Sequence, residues 1–303
     1  MTSPLRIGTR GSPLALWQAH HVEGLLRAVT GRPVELVEIE TSGDRVRDVA
    51  LTQIGGDGVF TKEIQRALLD GAVDVAVHSL KDLPTTHVEG LTLAAVPARG
   101  PVGDVFVSRR HARFDELPSA AVVGTSSLRR RSQALHRRPD LRLVNLRGNV
   151  ETRLRKLETE GLDAIILARA GLERLGLAGH VTEVLGPDWM LPAVGQGALG
   201  LECRADDRAT LATLGPLNDL PTRRAVLAER AMLRGLGGGC LVPIGALASA
   251  HGDELTLRGV VLPPDGARRV EASESGPASE PEALGRRVAE AMLAGGAREL
   301  LAG

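Results

Sequence analysis

Val122-Val123-Gly124-Thr125-Ser126-Ser127-Leu128-Arg129-Arg130-Arg131 reads as a short apolar strand that runs through a glycine and three hydroxyl residues into a helix. That order is the joint of an α/β fold, in which a helix starts just past the carboxyl end of a strand. The first N–H groups of such a helix have no intrahelical partners and the dipole is positive there, so the turn favours an anion. Thr125, Ser127, Arg129 and Arg130 suit a carboxylate or a phosphate. Leu146-Arg147-Gly148-Asn149-Val150 repeats the layout of strand, glycine and helix start with another arginine. Two such joints in one domain converge on the carboxyl edge of one sheet. The basic run continues through Arg137, Arg138, Arg142, Arg153, Arg155 and Lys156. Its plain structural reading is a solvated arginine face paired with Asp140, Glu151 and Glu158.

Working outward, the rest of the chain keeps the alternation. Leu5–Thr9 is a strand, Ser12 and Pro13 open a helix that Gly31 closes, and Val34–Glu40 is a second strand. Residues 41–58 carry glycine and aspartate without apolar periodicity and read as a mobile loop. A helix over 61–70 precedes strands at 73–77 and 91–96, so pairing is expected to be largely parallel. Arg99-Gly100-Pro101-Val102-Gly103 and Leu191-Pro192-Ala193-Val194-Gly195-Gln196-Gly197 mark junctions. After Thr222 a helix leads into short strands over 244–250, 254–262 and 268–273, and Ser279 with Glu282 forms a capping box for a last helix. The expected fold is two α/β domains followed by a smaller α+β domain.

At 303 residues the chain exceeds one ordinary core. Hydrophobic content of 43%, charged content of 24% and a formal net charge of zero are those of a soluble globular protein. A neutral chain with 2% aromatics argues against a nucleic-acid-binding surface. No apolar run reaches the length of a membrane span, two cysteines cannot build a disulfide framework, and the N-terminus lacks an apolar leader. A reduced, cytoplasmic protein is the expectation, with no metal site.

Two further stretches carry chemistry. In Val75-Ala76-Val77-His78-Ser79-Leu80-Lys81-Asp82-Leu83-Pro84, Lys81 and Asp82 lie just past a buried strand, where open α/β sheets place ligands. A carboxylate there can steady a cation or exchange a proton; the structural alternative is a turn cap before Pro84. His78 reads as a structural hydrogen-bonding residue. In Arg234-Gly235-Leu236-Gly237-Gly238-Gly239-Cys240-Leu241-Val242-Pro243-Ile244, a helix ends in four glycines before a cysteine. Glycines of this kind make a tight exposed turn from which a thiol reaches outward, unless Cys240 is simply a small buried residue.

Residues 7–19, 77–84, 124–130, 146–153, 164–172, 191–198 and 238–245, in collinear order over essentially the whole chain, resemble the porphobilinogen deaminase (hydroxymethylbilane synthase) family. The resemblance implies two domains like type-II periplasmic binding proteins and a third that carries the cysteine. It places domain 1 at 1–98 and 197–217, domain 2 at 103–192 and domain 3 at 220–303. It implies a transferase of tetrapyrrole and haem biosynthesis that joins four porphobilinogen molecules head to tail, with loss of ammonia, into hydroxymethylbilane. A dipyrromethane cofactor is expected on Cys240 through a thioether, held by Lys81, Thr125, Ser127, Arg129, Arg130 and Asn149. Asp82 is the expected catalytic residue. Arg10, Ser12, Arg147, Arg153, Arg174 and Gln196 are expected to hold porphobilinogen and the growing polypyrrole chain, in a monomer without nucleic acid or membrane. Arg138 and Arg142, outside the helix starts, are expected to be silent. The chain departs from the family at Gly55-Gly56-Asp57-Gly58, where Asp57 replaces a basic residue, and Phe60 is either a lid contact or a core residue. A solute-binding module of the same shape would explain the arginines but leave Cys240 and Asp82 without a role.

Overall fold

The computed structural model describes residues 3–45, 58–238 and 242–302. The chain divides into two compact units, Met1–Gly100 with Gly197–Arg223 and Pro101–Gln196 with Arg224–Gly303. In chain order come β1 (Leu5–Thr9), α1 (Pro13–Thr30), β2 (Val34–Glu38), α2 (Ser42–Arg45), α3 (Lys62–Leu69), β3 (Val75–Ser79) and β4 (Leu91–Ala95). The second unit adds β5 (Asp104–Val107), β6 (Val122–Gly124), α4 (Leu128–Arg137), β7 (Arg142–Val144), α5 (Val150–Thr159), β8 (Ala164–Ala168), α6 (Arg169–Arg174) and β9 (Glu183–Leu185). After these, β10 (Leu199–Arg204) and α7 (Arg208–Leu214) return to the first unit. The chain ends in α8 (Leu220–Gly235), β11 (Ile244–His251), β12 (Glu254–Val261), β13 (Val270–Pro277), α9 (Pro281–Ala294) and α10 (Ala297–Ala302).

The first sheet has the order β2-β1-β3-β10-β4 and the second β7-β6-β8-β5-β9, the same layout place by place. In the first, β1 is parallel to β2 and β3, while β10 is antiparallel to β3 and β4. In the second, β6 is parallel to β7 and β8, and β5 is antiparallel to β8 and β9. Half the pairings are thus antiparallel, against the expectation of largely parallel sheets. The reason lies in connectivity: β5 and β10 are the first strands laid down after the chain passes from one unit to the other. No crossover helix dictates their direction. The edge strand β9 has only three residues and was not anticipated.

Local sequence sets the elements that matter for the site. Ser12 accepts the Ala15 N–H at 3.4 Å and Pro13 occupies the first turn of α1. Gln18, Ala19, Val22 and Leu26 form its buried stripe, and Gly31 at φ 61° closes it. Each fully buried Val or Leu on that stripe contributes about 1.5–3 kcal/mol. The core of the first unit joins Leu5, Ile7, Val22, Leu26, Val75, Leu199, Leu201 and Cys203.

In the second unit, Phe106, Phe114, Val123, Ile166 and Leu185 fill one face of the sheet, and Val105, Leu146, Ile165 and Leu172 the other. The antiparallel β11-β12-β13 sheet packs on α8 and α9 through Met232, Leu255, Leu257, Val288 and Met292. The α/β and α+β parts of this unit are tied by polar contacts. The carboxylate of Glu229, wholly buried on α8, accepts the Gly195 N–H at 2.7 Å and the Ala248 N–H at 3.0 Å. Ring nitrogen Nδ1 of His136 lies 2.8 Å from the Gly266 carbonyl, and a Cβ on Gly266 would meet the α4 backbone at 2.5 Å. The two α/β sheets and the α+β remainder are those the resemblance implies. One capping device differs. Pro281 takes the first position of α9, so Glu280 stands at the N-cap without a side-chain bond, and Ser279 with Glu282 makes no capping box.

Candidate functional site

In the first unit, β1, β2 and β3 run parallel, so the segments that follow them leave from one sheet edge. Arg10 and Ser12 follow β1, the short α2 follows β2, and a single 3₁₀ turn, Leu80–Asp82, follows β3. The segments after β1 and β3, with the first turns of α1 and the start of α3, line a cavity of about 70 Å³ that includes Arg10, Ser12, Gln18, Phe60, His78 and Asp82. Asp82 is half-buried, and among the described residues none donates a hydrogen bond to its carboxylate. Asp82 thus makes no capping hydrogen bond among the described residues, and the turn-cap reading finds no support. Lys81, its neighbour, is half-buried.

Arg10 is held on two sides. Its Nε and Nη2 donate to the Asp44 carboxylate at 3.1 and 2.5 Å, and the guanidinium lies 4.1 Å from the centre of the Phe60 ring. Thr41 Oγ1 donates to the same carboxylate at 2.7 Å. Burial pushes the Asp44 carboxyl up, but the hydrogen bonds from Arg10 and Thr41 outweigh it and hold the group below its ordinary value. Phe60 is therefore not a plain core residue: half-buried, it lines the cavity and lies under Arg10. On the cavity wall, Gln18 Nε2 donates to Ser79 Oγ at 2.8 Å. His78 Nε2 and Glu202 stand 3.2 Å apart, and Gln65 donates to both carboxylate oxygens of Glu202 at 3.1 Å. Those three side chains are buried, which fits the structural role expected of His78.

In the second unit, β6, β7 and β8 are parallel, and α4, α5 and α6 start at their shared edge. Ser127 caps α4 by accepting the Arg130 N–H at 3.4 Å, and Thr125 Oγ1 accepts the Ser127 N–H at 3.2 Å. Asn149 caps α5 through the Thr152 N–H at 2.8 Å. Gly148 precedes it at φ 113°, where a Cβ would stand 2.5 Å from Thr152, so only glycine fits. Arg153 Nε donates to the Gly148 carbonyl at 2.8 Å, and burial pushes the Arg174 guanidinium below its ordinary value. Arg147 is half-buried, with no acidic partner among the described residues.

Arg129 and Arg130 are 4% and 6% exposed and converge on Asp104, which is wholly buried. Arg129 Nη1 donates to Asp104 at 2.6 Å and to the Leu191 carbonyl at 2.7 Å, while Arg130 Nε donates to the other oxygen at 2.9 Å. Gln196 Nε2 adds a bond to Asp104 at 3.0 Å. Burial works to raise the Asp104 carboxyl, yet the two guanidiniums overcome it and hold the group far below its ordinary value. Burial likewise lowers Arg130. After these bonds, Arg129 Nε is still a buried donor without an acceptor. Arg138 is not idle. It donates to Asp140 at 2.7 Å and to the carbonyls of Asp115 and Leu117 at 3.0 and 2.8 Å, whereas Arg142 is exposed.

Asp44, Asp104 and Gln18 were missed from the sequence. Gln18 had a signal, a polar residue at helical spacing between Leu14 and Val22 on the buried stripe of α1. Asp104 opens an apolar strand and Asp44 sits in a glycine-rich segment, and neither position marks its partner. Gly239, Cys240, Leu241 and the whole 46–57 segment with Asp57 lie outside the described residues. Cys203 is buried in β10, and burial pushes its thiol up to about 11. Among the described residues no cluster of His, Cys, Asp or Glu could hold a metal, and no helix is long and apolar enough to cross a membrane.

Family models match almost end to end. One described as "Porphobilinogen deaminase, dipyromethane cofactor binding domain" covers residues 5–212, and one described as "Porphobilinogen deaminase, C-terminal domain" covers 223–294. The chain is 53% identical over 299 residues to a porphobilinogen deaminase of Geobacter metallireducens, covering 98% of this chain and 94% of that one. It is 52% identical over 302 residues to one of Acidithiobacillus ferrooxidans, covering 99% and 98%. Among solved structures, the methionine binding protein MetQ is 14% identical over 70% of this chain and 89% of that one, with a TM-score of 0.46. A likeness that slight carries no weight.

Proposed function

The chain belongs to the porphobilinogen deaminase family, and from that premise we propose that it deaminates porphobilinogen and joins four units head to tail into hydroxymethylbilane, with Asp82 as the catalytic residue. The observation that carries this reading is the Asp82 carboxylate, without a hydrogen-bond donor among the described residues, in a cavity that also holds Arg10 and Ser12. Loss of ammonia leaves a cationic pyrrole, and a carboxylate kept free of hydrogen-bond donors can stabilise that charge and move a proton at its own oxygen. Arg10 and Ser12 in the first unit, and Arg147, Arg153, Arg174 and Gln196 in the second, hold the acetate and propionate side chains. Each charge-assisted bond of that kind contributes about 1.5–3 kcal/mol.

The residues present fit a dipyrromethane cofactor. Its carboxylates need donors, and Arg129 Nε is a buried donor left over after Asp104 is satisfied. Lys81, Thr125, Ser127, Arg129, Arg130 and Asn149 are the residues that would hold it. Bound through a thioether to Cys240, it supplies the pyrrole terminus on which the chain grows. Cys203 is unsuited to that attachment, since it is buried and kept as a thiol. The three-domain division, with 1–98 and 197–217, 103–192 and 220–303 as its parts, a monomeric state and a cytoplasmic location belong to the same proposal.

Intact mass tests the attachment. The purified chain should be heavier than its sequence by two substrate-derived pyrrole units, Cys203→Ala should keep that mass, and Cys240→Ser should lose it and turn over poorly. The added mass surviving in Cys240→Ser but vanishing in Cys203→Ala would overturn the assignment.

A further inference from the structure

We propose that Asp44 is a resident carboxylate on Arg10, occupying in the free protein the fork that a substrate carboxylate takes, so that binding begins with an exchange of one carboxylate for another. The idea rests on the assignment of Arg10 above. Two of the Arg10 nitrogens meet the two oxygens of Asp44 side by side, at 3.1 and 2.5 Å, which is the bidentate geometry a guanidinium offers to any carboxylate. Phe60 packs 4.1 Å below the guanidinium, so Arg10 keeps its plane on the cavity wall whichever carboxylate it holds. Asp44 is not consumed by Arg10 alone. Thr41 donates to it from Oγ1 at 2.7 Å and from its backbone N–H at 3.3 Å, and the Asp44 N–H returns to the Thr41 carbonyl at 3.0 Å. Such reciprocal bonds at the start of α2 would still hold Asp44 after Arg10 had let go. The pair is part-exposed, with side chains 22% and 23% accessible, so water can help the exchange and its cost stays modest.

An internal carboxylate has a definite consequence. It lowers affinity for every competing carboxylate, and it also keeps the cavity from holding an unpaired guanidinium when substrate is absent. Asp44→Asn separates these effects, because an amide oxygen can still accept from Thr41 while the charge opposite Arg10 is gone. The probe is a pyrrole bearing acetate and propionate side chains but no aminomethyl group, which cannot lose ammonia. Binding to the purified protein is read by calorimetry, beside KM and kcat for ammonia release from porphobilinogen.

Asp44→Asn should bind the probe about five-fold more tightly and lower KM by a similar factor with kcat little changed. Asp44→Asn combined with Arg10→Leu should lose that gain. If Asp44→Asn binds equally or more weakly while Arg10→Leu alone still weakens binding, Asp44 only positions Arg10 and the proposal fails. Unchanged binding in Arg10→Leu would instead overturn the substrate role of Arg10, and this inference with it.

Discussion

At the scale of single residues, Asp82 separates chemistry from architecture most cleanly. A catalytic carboxylate and a turn cap can look alike in sequence, since both stand just past a strand and before a proline. In the structure the carboxylate has no backbone donor among the described residues, so it gives the turn nothing to lose. Asp82→Asn keeps size and shape while removing the charge. Single-turnover ammonia release should slow by about 10²–10⁴-fold for the lost proton transfer alone. The melting temperature should hold, because no hydrogen bond among the described residues disappears. Near-normal chemistry with a lowered melt would reverse the assignment.

At the scale of elements, the arginine run of 124–156 is several things at once. Its helix starts are the proposed anion sites, yet the guanidiniums nearest the first of them, Arg129 and Arg130, are folded inward onto Asp104. Changing either to leucine would leave a buried carboxylate short of a partner, so lost activity there would say little about binding. Arg147, at the foot of α5, is the cleaner probe. Arg147→Leu should raise KM for porphobilinogen with an ordinary melt. Arg142→Leu should be silent in both. Arg138→Leu should keep activity but lower the melt, because its carbonyl contacts near 115–117 are lost. Equal losses of activity in all three would favour a general electrostatic surface over built sites.

Across the molecule, the buried Asp104 cluster binds strand β5, helix α4 and the 191–196 junction into one unit. Removing one partner of a buried ion pair costs about 3–5 kcal/mol, so Asp104→Asn should destabilise the fold by that order at neutral pH. The carboxyl is held far below its ordinary value in the folded state. Its contribution is therefore complete above the ordinary carboxylate pKa of about 4, and is lost as pH falls from there through the folded value. Denaturant melts of the two proteins should converge only in that acid range. A gap that closes between pH 7 and pH 5 would show that another group is responsible.

Much of this was legible along the chain. Strand-to-helix joints at 122–128 and 144–150, the Ser12–Pro13 helix start and the position of Asp82 past an apolar strand all rest on local rules: period, caps and glycine turns. The ordered motifs that mark the family are local too. What local rules cannot carry is partnership over distance. Nothing near Arg10 announces that Asp44, 34 residues on, will fill its fork, and nothing in Arg129-Arg130 shows that Asp104 waits across the sheet. Strand direction escaped for the same reason, because β5 and β10 take theirs from where the chain passes between units. Hydrophobic period assigns a residue to a face; which charge meets which is settled when the faces close, and burial then makes each unpaired charge too costly to leave.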